Sequence, residues 1–252
     1  MPPAPRRPAL VAVAHGSRDP RALGTVRGLL DLVRELRPGL DVRLGHIELN
    51  TPLLPDTLTG LDGAPGVLVP LLLGRGHHVR HDLPRAAAAA SAPLRIAAPL
   101  GPHPLLVEAL CARLAEAGWS DRESGSRGAA VVLASAGSRD PDSAVDARRT
   151  AGLLAERLGV PVVAAYASTP APGVPAAVRA LAARGRHRIA LASHFTAPGL
   201  FSARCAAAAP WIAAEPLGAH PALARLLLRR YDEALARPDH AGSVRGTELL
   251  AA

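Results

Sequence analysis

Residues 14–20 read AHGSRDP and residues 135–141 read SAGSRDP. The phrases share Gly-Ser-Arg-Asp-Pro and differ just before it, where one has His15 and the other Ala136. Further pairs follow in the same order. NTPLLPDTL (50–58) matches STPAPGVPAAV (168–178), VPLLLGRGHHVRHD (69–82) matches ALASHFTAPGLFSARC (190–205), and PLGPHPLL (99–106) matches PLGAHPAL (216–223). The offsets stay between 117 and 123 residues, so small insertions and deletions account for the drift. Self-similarity on this scale means one supersecondary unit built twice. It restricts the fold to two like lobes in one chain. SDRESGSRG (120–128) is polar and glycine-containing and reads as a linker. The expected boundaries are an N-terminal lobe at 1–119, the linker at 120–128, a degenerate C-terminal repeat at 129–237, and a poorly ordered tail at 238–252.

Within each copy, short apolar runs alternate with longer helical patterns. The first half predicts strands at 9–14, 41–48, 66–73 and 94–98, with helices at 20–36, 53–61, 79–90 and 104–117. The second half predicts strands at 129–135, 161–166, 187–193 and 212–215, with helices at 141–158, 172–184, 199–208 and 220–236. A continuous apolar run such as GVLVPLLL suits a parallel strand buried on both faces. Alternating β and α with right-handed crossovers gives an α/β class and a doubly wound layer. The expected architecture is therefore two tandem flavodoxin-like lobes facing a cleft. At 252 residues with 2% aromatics, the core must be large and aliphatic. Asp19–Pro20 and Asp140–Pro141 read as helix starts, with Asp capping and Pro in the first turn. His103 and His220 recur before proline in both copies and read as structural.

The formal charge is +8, all the positive charge is arginine, and the sequence contains no lysine. That excludes a nucleotide-binding P-loop and Schiff-base catalysis by lysine. The arginines are dispersed and aromatics for base stacking are scarce, which argues against nucleic acid. An acidic small molecule stays compatible with the charge. Cys111 and Cys205 stand alone and read as small buried hydrophobes. No cysteine cluster offers an iron–sulfur or structural zinc site. No apolar run reaches the roughly 18 residues of a membrane span. PALVAVA near the N-terminus is short and runs straight into HGSRDP without a cleavage region. It reads as a buried first strand, and the protein as cytoplasmic.

Ligands of open α/β sheets bind beyond the carboxyl ends of the strands. His15 follows the first predicted strand, Glu48 closes the second, and His78 comes a few residues after the third. Two imidazoles and a carboxylate suit a divalent first-row metal such as Fe²⁺, Co²⁺ or Ni²⁺. Histidine also takes and releases protons near neutrality. Such a site can hold a metal, act as a general base, or both. A histidine after a strand also serves as a structural hydrogen bonder, and the HHVRH cluster (His77, His78, His81) also reads as a solvated helix start. The second copy is an internal control. It offers Ala136 for His15, Tyr166 for Glu48 and, by matching Gly76 to Gly199, Phe201 for His78. All three candidates vanish together while GSRDP persists, as in a duplication with one chemically silent copy. Phe201 is expected to pack rather than to take part in chemistry.

AHGSRDP, HIELNTP and VPLLLGRGHHVRHDLP together resemble the signature blocks of the class II chelatases, the CbiX/SirB-type sirohydrochlorin chelatases. Leu83 stands where the family block has isoleucine. The resemblance spans nearly the whole chain, since the second half is similar to the degenerate repeat of the two-domain forms. It implies a chelatase-type fold and a lyase that inserts a divalent metal into sirohydrochlorin without ATP, towards sirohaem or cobalamin. Iron is slightly favoured over cobalt, with nickel a third option. It also implies that His15 and His78 bind the metal and catalyse, and that Glu48 helps hold the metal. His77 falls at a variable position of the motif. A basic cleft would attract the polycarboxylate macrocycle. Ser17, Arg18 and Arg80 are the candidate substrate contacts, with Arg75 and Arg85 nearby. Each arginine equally reads as a solvated charge, and Ser17 as a structural residue because Ser138 repeats it. Asp82 orients a histidine or caps a helix. Two other readings stay open: a non-catalytic metal or tetrapyrrole carrier, and a phosphohydrolase. Two lobes in one chain can form the whole cleft, so a monomer suffices.

Overall fold

The computed structural model describes residues 7–237; the tail expected at 238–252 lies outside them. The first repeat runs β1 (Ala9–Ala14), α1 (Pro20–Leu36), β2 (Val42–His46), α2 (Leu54–Thr59) and β3 (Gly66–Pro70). It continues with a π-turn (His78–Asp82), α3 (Leu83–Ala89), β4 (Leu94–Ile96) and α4 (Pro104–Glu116). The second repeat runs β5 (Ala129–Ser135), α5 (Pro141–Leu158), β6 (Val162–Tyr166), α6 (Val174–Ala182), β7 (Arg188–His194), α7 (Leu200–Ala207) and α8 (Pro221–Ala236). The sheets have orders β2-β1-β3-β4 and β6-β5-β7, with every pairing parallel.

The α/β class and the two parallel sheets match the sequence reading, with local differences. The strand expected at 212–215 is reduced to one bridge, Leu191 to Ala213. Pro210 and Pro216 bracket this segment, and neither has an N–H for a ladder. Strand β3 stops at Pro70, so Leu71–Gly76 is loop. Strand β2 stops at His46, which leaves Glu48 two residues beyond the strand. The helix expected at 79–90 begins as the π-turn and becomes α-helical only at Leu83.

Side chains alternate across each strand, and the alternation sorts the core into three layers. Leu10, Ala12, Ala14, Val131 and Leu133 belong to one central cluster shared by both sheets. Val11, Val13 and Leu68 face outward to Leu54, Leu58 and Leu83. Val132, Ala134 and Leu191 face outward to Val174, Ala177 and Leu181. The repeats are also tied by an exchange of their last helices. Helix α4 packs on α5 and β7 of the second repeat, while α8 packs on α1, β3 and β4 of the first. Arg113 of α4 donates through Nε and a terminal NH2 to the Leu217 carbonyl at 3.0 and 2.8 Å. Arg230, at the matching position of α8, donates to the carbonyls of Pro99 at 2.9 Å and Leu100 at 3.3 Å. Each terminal helix thereby grips the PLGxHP turn of the opposite repeat. The segment 120–128 is itself anchored: buried Glu123 accepts from the Ser120 backbone N–H at 3.0 Å and pairs with Arg188 at 3.0 Å.

The shared motifs act as helix starts. Asp19 accepts from the Arg21 N–H at 2.9 Å and Asp140 from the Asp142 N–H at 3.0 Å. His103 Nδ1 accepts from the Leu105 N–H and His220 Nδ1 from the Ala222 N–H, both at 3.1 Å. These two histidines are caps, as their recurrence before proline suggested.

Candidate active site

The chain leaves β1 at Ala14 and turns at Gly16, whose φ is +104°. A Cβ there would overlap the Glu48 carbonyl oxygen, so only glycine fits. Two backbone bonds bring the loop after β2 alongside: Ile47 N–H to the Ala14 carbonyl at 2.9 Å, and Glu48 N–H to the His15 carbonyl at 3.0 Å. The side chains then meet, with His15 Nε2 3.5 Å from Glu48 Oε1. The second repeat builds the same turn. Gly137 has φ +84°, Ala167 N–H bonds to the Ser135 carbonyl at 2.9 Å, and Ser168 N–H bonds to the Ala136 carbonyl at 3.1 Å. These bonds correct the sequence pairing: Glu48 corresponds to Ser168, and Tyr166 corresponds to His46. The second repeat still lacks the carboxylate.

His78 arrives from the loop after β3. It opens the π-turn, a widened turn of the kind found at functional sites, and its ring lies edge-on to His15 with centroids 4.7 Å apart. Its Nδ1 is 2.6 Å from Asp82 Oδ2. An imidazole N–H donated to this carboxylate fixes the ring and leaves Nε2 as the remaining donor atom. Asp82 caps no helix by its side chain. The side chains of His15, Glu48 and His78 stay 42%, 53% and 33% exposed. His77 lies 6.1 Å from the His78 ring and 4.7 Å from His81, outside the His15–His78 pair. Among the described residues, no three His, Cys, Asp or Glu side chains are already arranged to hold a metal ion. His15 contacts both Glu48 and His78, but the expected set of three is not closed in this conformation.

These groups line a cleft of about 910 Å³ between the carboxyl ends of the two sheets. Ser17 and Arg18 also line it. The Ser17 hydroxyl donates to the Pro198 carbonyl of the second repeat at 3.2 Å and accepts from the Asp19 N–H at 3.1 Å. Arg80 is the third expected substrate contact. It is turned away from the lining and pairs with Asp140 at 3.0 Å and with Asp142. Acidic residues at the start of α5 neutralise it. Arg75, on the lining, is held by Asp146 at 2.7 Å and Asp142 at 3.2 Å.

The wall from the second repeat is not mere filling. Phe201 is 41% exposed on the lining rather than packed in the core, and Leu49 and Leu200 are exposed beside it. His194, missed by sequence reasoning, ends β7 opposite Ser135, whose Oγ lies 2.8 Å from His194 Nδ1. His194 is buried, its Nε2 has no hydrogen-bond partner among the described residues, and burial pushes its pKa down to about 4. Buried His46, whose Nδ1 lies 3.1 Å from the Pro52 carbonyl, is a second lining histidine the sequence did not single out. The available signal was positional: both occupy strand ends, where the other repeat carries Leu71 and Tyr166.

Among the described residues no helix is long and apolar enough to cross a membrane. The chain is similar to a sirohydrochlorin cobaltochelatase of Methanococcus aeolicus, 32% identical over 80 residues, which are 31% of this chain. The match spans about half the length of that relative, 56%. Its fold resembles SirB from Bacillus subtilis with Fe³⁺, with TM-score 0.73 and 24% identity, covering 91% of this chain and 96% of that one. It also resembles CbiX described as the terminal enzyme for biosynthesis of sirohaem in denitrifying bacteria, with TM-score 0.70 and 25% identity over 90% of this chain and all (100%) of the other. The CbiX family model matches residues 9–117 and again 130–234, once for each repeat. With both halves matched, the chain belongs to the CbiX family.

Proposed function

We propose that this protein is a cytoplasmic chelatase that inserts a divalent metal, Fe²⁺ or Co²⁺, into sirohydrochlorin without ATP. The observation that carries this reading is the convergence of His15, His78 and Glu48 on one side of a tetrapyrrole-sized cleft in a CbiX-family chain. Insertion exchanges two pyrrole N–H protons for one metal ion. The site must therefore supply ligands that release the metal and bases that take protons. Imidazole does both at neutral pH. His78, oriented by Asp82, presents Nε2 to the cleft, and Glu48 swings from His15 to complete the metal set. Half-exposed ligands that are not locked together suit a metal that is substrate rather than resident. Arg18 is the cleft-lining guanidinium left to meet macrocycle carboxylates once Arg75 and Arg80 are engaged with aspartates.

The cleft volume lies at the large end of small-molecule sites, which fits a macrocycle better than a simple phosphate ester. The engagement of Arg75 and Arg80 also removes the basic cluster a phosphohydrolase would need. The test is anaerobic mixing of purified protein, Fe²⁺ or Co²⁺, and sirohydrochlorin, followed by absorbance. Acceleration over the spontaneous rate without added nucleotide is expected. Tight binding of metal and tetrapyrrole with no acceleration would leave a carrier.

A further inference from the structure

We propose that the second repeat acts on the reaction through an ion-pair latch, in which Asp146, with Asp140 and Asp142, positions His78 by holding Arg75 and Arg80. This rests on the reading of His78 above. The segment from Gly74 to Gly76, just before the helical turn that carries His78, forms no strand or helix. It is fixed instead by the opposite repeat, at positions three residues before His78 and two after.

At the first position Arg75 makes three bonds to Asp146: backbone N–H to Oδ2 at 2.8 Å, Nε to Oδ2 at 3.0 Å, and a terminal nitrogen to Oδ1 at 2.7 Å. Asp146 is only 2% exposed, and Gly74 lies so close that an added Cβ would stand 3.2 Å from the Asp146 Cβ. The other terminal nitrogen of Arg75 reaches Asp142 at 3.2 Å. At the second position Arg80 pairs with Asp140 and Asp142. Burial alone would push the Asp146 carboxyl up, but the hydrogen bonds and charge of Arg75 bring it below its ordinary value. The latch is therefore ionic at neutral pH. A planar guanidinium bound on two edges also fixes direction as well as distance.

The repeat comparison shows that this is not a generic way of joining the lobes. Asp142 and Asp146 stand where the first repeat has Arg21 and Thr25. Arg21 folds back on Asp19 at 2.8 Å and uses up its carboxylate. In the second repeat the arginine is replaced by aspartate, and the equivalent Asp140 receives Arg80. The reciprocal seat is neutral: Pro198 occupies the place of Arg75, and among the described residues its carbonyl takes the Ser17 hydroxyl. The duplication thus made two loop-to-helix seats, and the charged one holds the loop that carries His78. Cohesion of the lobes is already provided by the exchanged helices and their Arg113 and Arg230 bonds. The silent copy keeps GSRDP because its aspartate both caps α5 and receives Arg80.

The test uses full-length metal-free protein, Co²⁺ alone as probe, thermal unfolding, and kcat separated from KM in the insertion assay. Asp146→Asn is expected to weaken Co²⁺ binding at least about fivefold and to lower kcat more than it raises KM for the tetrapyrrole. Asp146→Glu, which keeps the charge, should recover part of both. Arg80→Gln, at an exposed position that tolerates substitution, should shift Co²⁺ binding in the same direction, by about twofold. Asp232→Asn breaks another bidentate pair between the repeats, Arg37–Asp232 at 2.6 and 2.8 Å, away from the cleft. It should lower Tm without changing Co²⁺ affinity. Wild-type Co²⁺ binding and kcat in both Asp146→Asn and Arg80→Gln would overturn the latch whatever the Tm, provided His78→Ala weakens Co²⁺. Unchanged Co²⁺ binding in His78→Ala would overturn the reading of His78, and the latch with it.

Discussion

Beyond β1 the chain presents His15, with Glu48 3.5 Å away and His78 edge-on to its ring; beyond β5 it presents Ala136, with Ser168 and Phe201 in the corresponding places. Beneath these side chains the backbones agree. The same glycine takes a positive φ, the same carbonyls accept the same N–H groups, and the same aspartate caps the next helix. Chemistry is thus separated from scaffold at single positions. The second repeat keeps the two backbone bonds that join the turn to the neighbouring strand's loop, and in place of the imidazoles and the carboxylate it has an apolar wall, a neutral buried histidine and an acidic seat. A macrocycle lying in the cleft would meet the proposed ligands on one face and Phe201 on the other.

The sharpest way to break this comparison is to remove the proposed ligands from one side. His15→Ala or His78→Ala should lower the insertion rate by about 10²–10⁴, the range of a lost general base, with little change in Tm because both rings are partly exposed. Near-normal rates in the double variant would mean that the working half has been misplaced. The scaffold should respond the other way, equally in both halves. Gly16→Ala and Gly137→Ala each force a Cβ into a carbonyl at positive φ. Each should cost at least about 2 kcal/mol and lower Tm by roughly 4–8 °C. If Gly137→Ala were silent in thermal unfolding, the shared turn would not be a structural requirement of both lobes.

How much of this was legible in the sequence depends on the range of the interaction. Ala9–Ala14 followed by Asp-Pro, and Ala129–Ser135 followed by Asp-Pro, announce strand, turn and capped helix within about a dozen residues, and the structure places them there. The approach of Glu48 and of His78 to His15 was legible from the strand ends. The π-turn was not, because Leu83-Pro84 and the alanines after it read as one continuous helix with what precedes them. The exchange of α4 and α8 was illegible because amphipathic periodicity shows that a helix has a buried face, not which sheet it covers. The fates of Arg75 and Arg80 were hidden for a similar reason. With 29 arginines and no lysine, no arginine is distinguished until aspartates 60 to 71 residues away come alongside.

A smaller effect comes from the polar pair unique to the second repeat. Where the first repeat has Ala14 and Leu71, the second buries Ser135 against His194. His194 titrates near 6.5 when unfolded and near 4 when folded. Between those values the unfolded chain binds more protons, so stability is fully present above about pH 6.5 and falls as the pH drops towards 4. The double variant Ser135→Ala/His194→Leu restores the apolar pair of the first repeat. It should remove up to about 3 kcal/mol of this acid-side loss, measured as the difference in unfolding free energy between pH 7 and pH 4.5. An unchanged slope would mean that His194 is not held neutral in the folded chain. His103 and His220 are also pushed down by burial. They occur once in each repeat and leave a common background in both proteins.

The smallest expected effect tests what the silent wall does. Phe201 stands where the working half has His78, and its exposure on the cleft rules out a role in the core. An exposed ring facing a flat macrocycle gains stacking and apolar contact only when substrate is bound. Phe201→Ala should therefore leave Tm within about 1 °C and raise KM for sirohydrochlorin several-fold, by roughly 1 kcal/mol of lost contact, with kcat within about twofold. Phe201→His makes the comparison sharper. It returns the missing imidazole to the silent half but supplies neither the carboxylate nor the Asp82 equivalent, since Cys205 occupies that position four residues on. Added to a His78→Ala background, it should not rescue insertion. Rescue would show that an imidazole on either wall suffices, and that the asymmetry between the repeats reflects history rather than a geometric requirement for both histidines on one side.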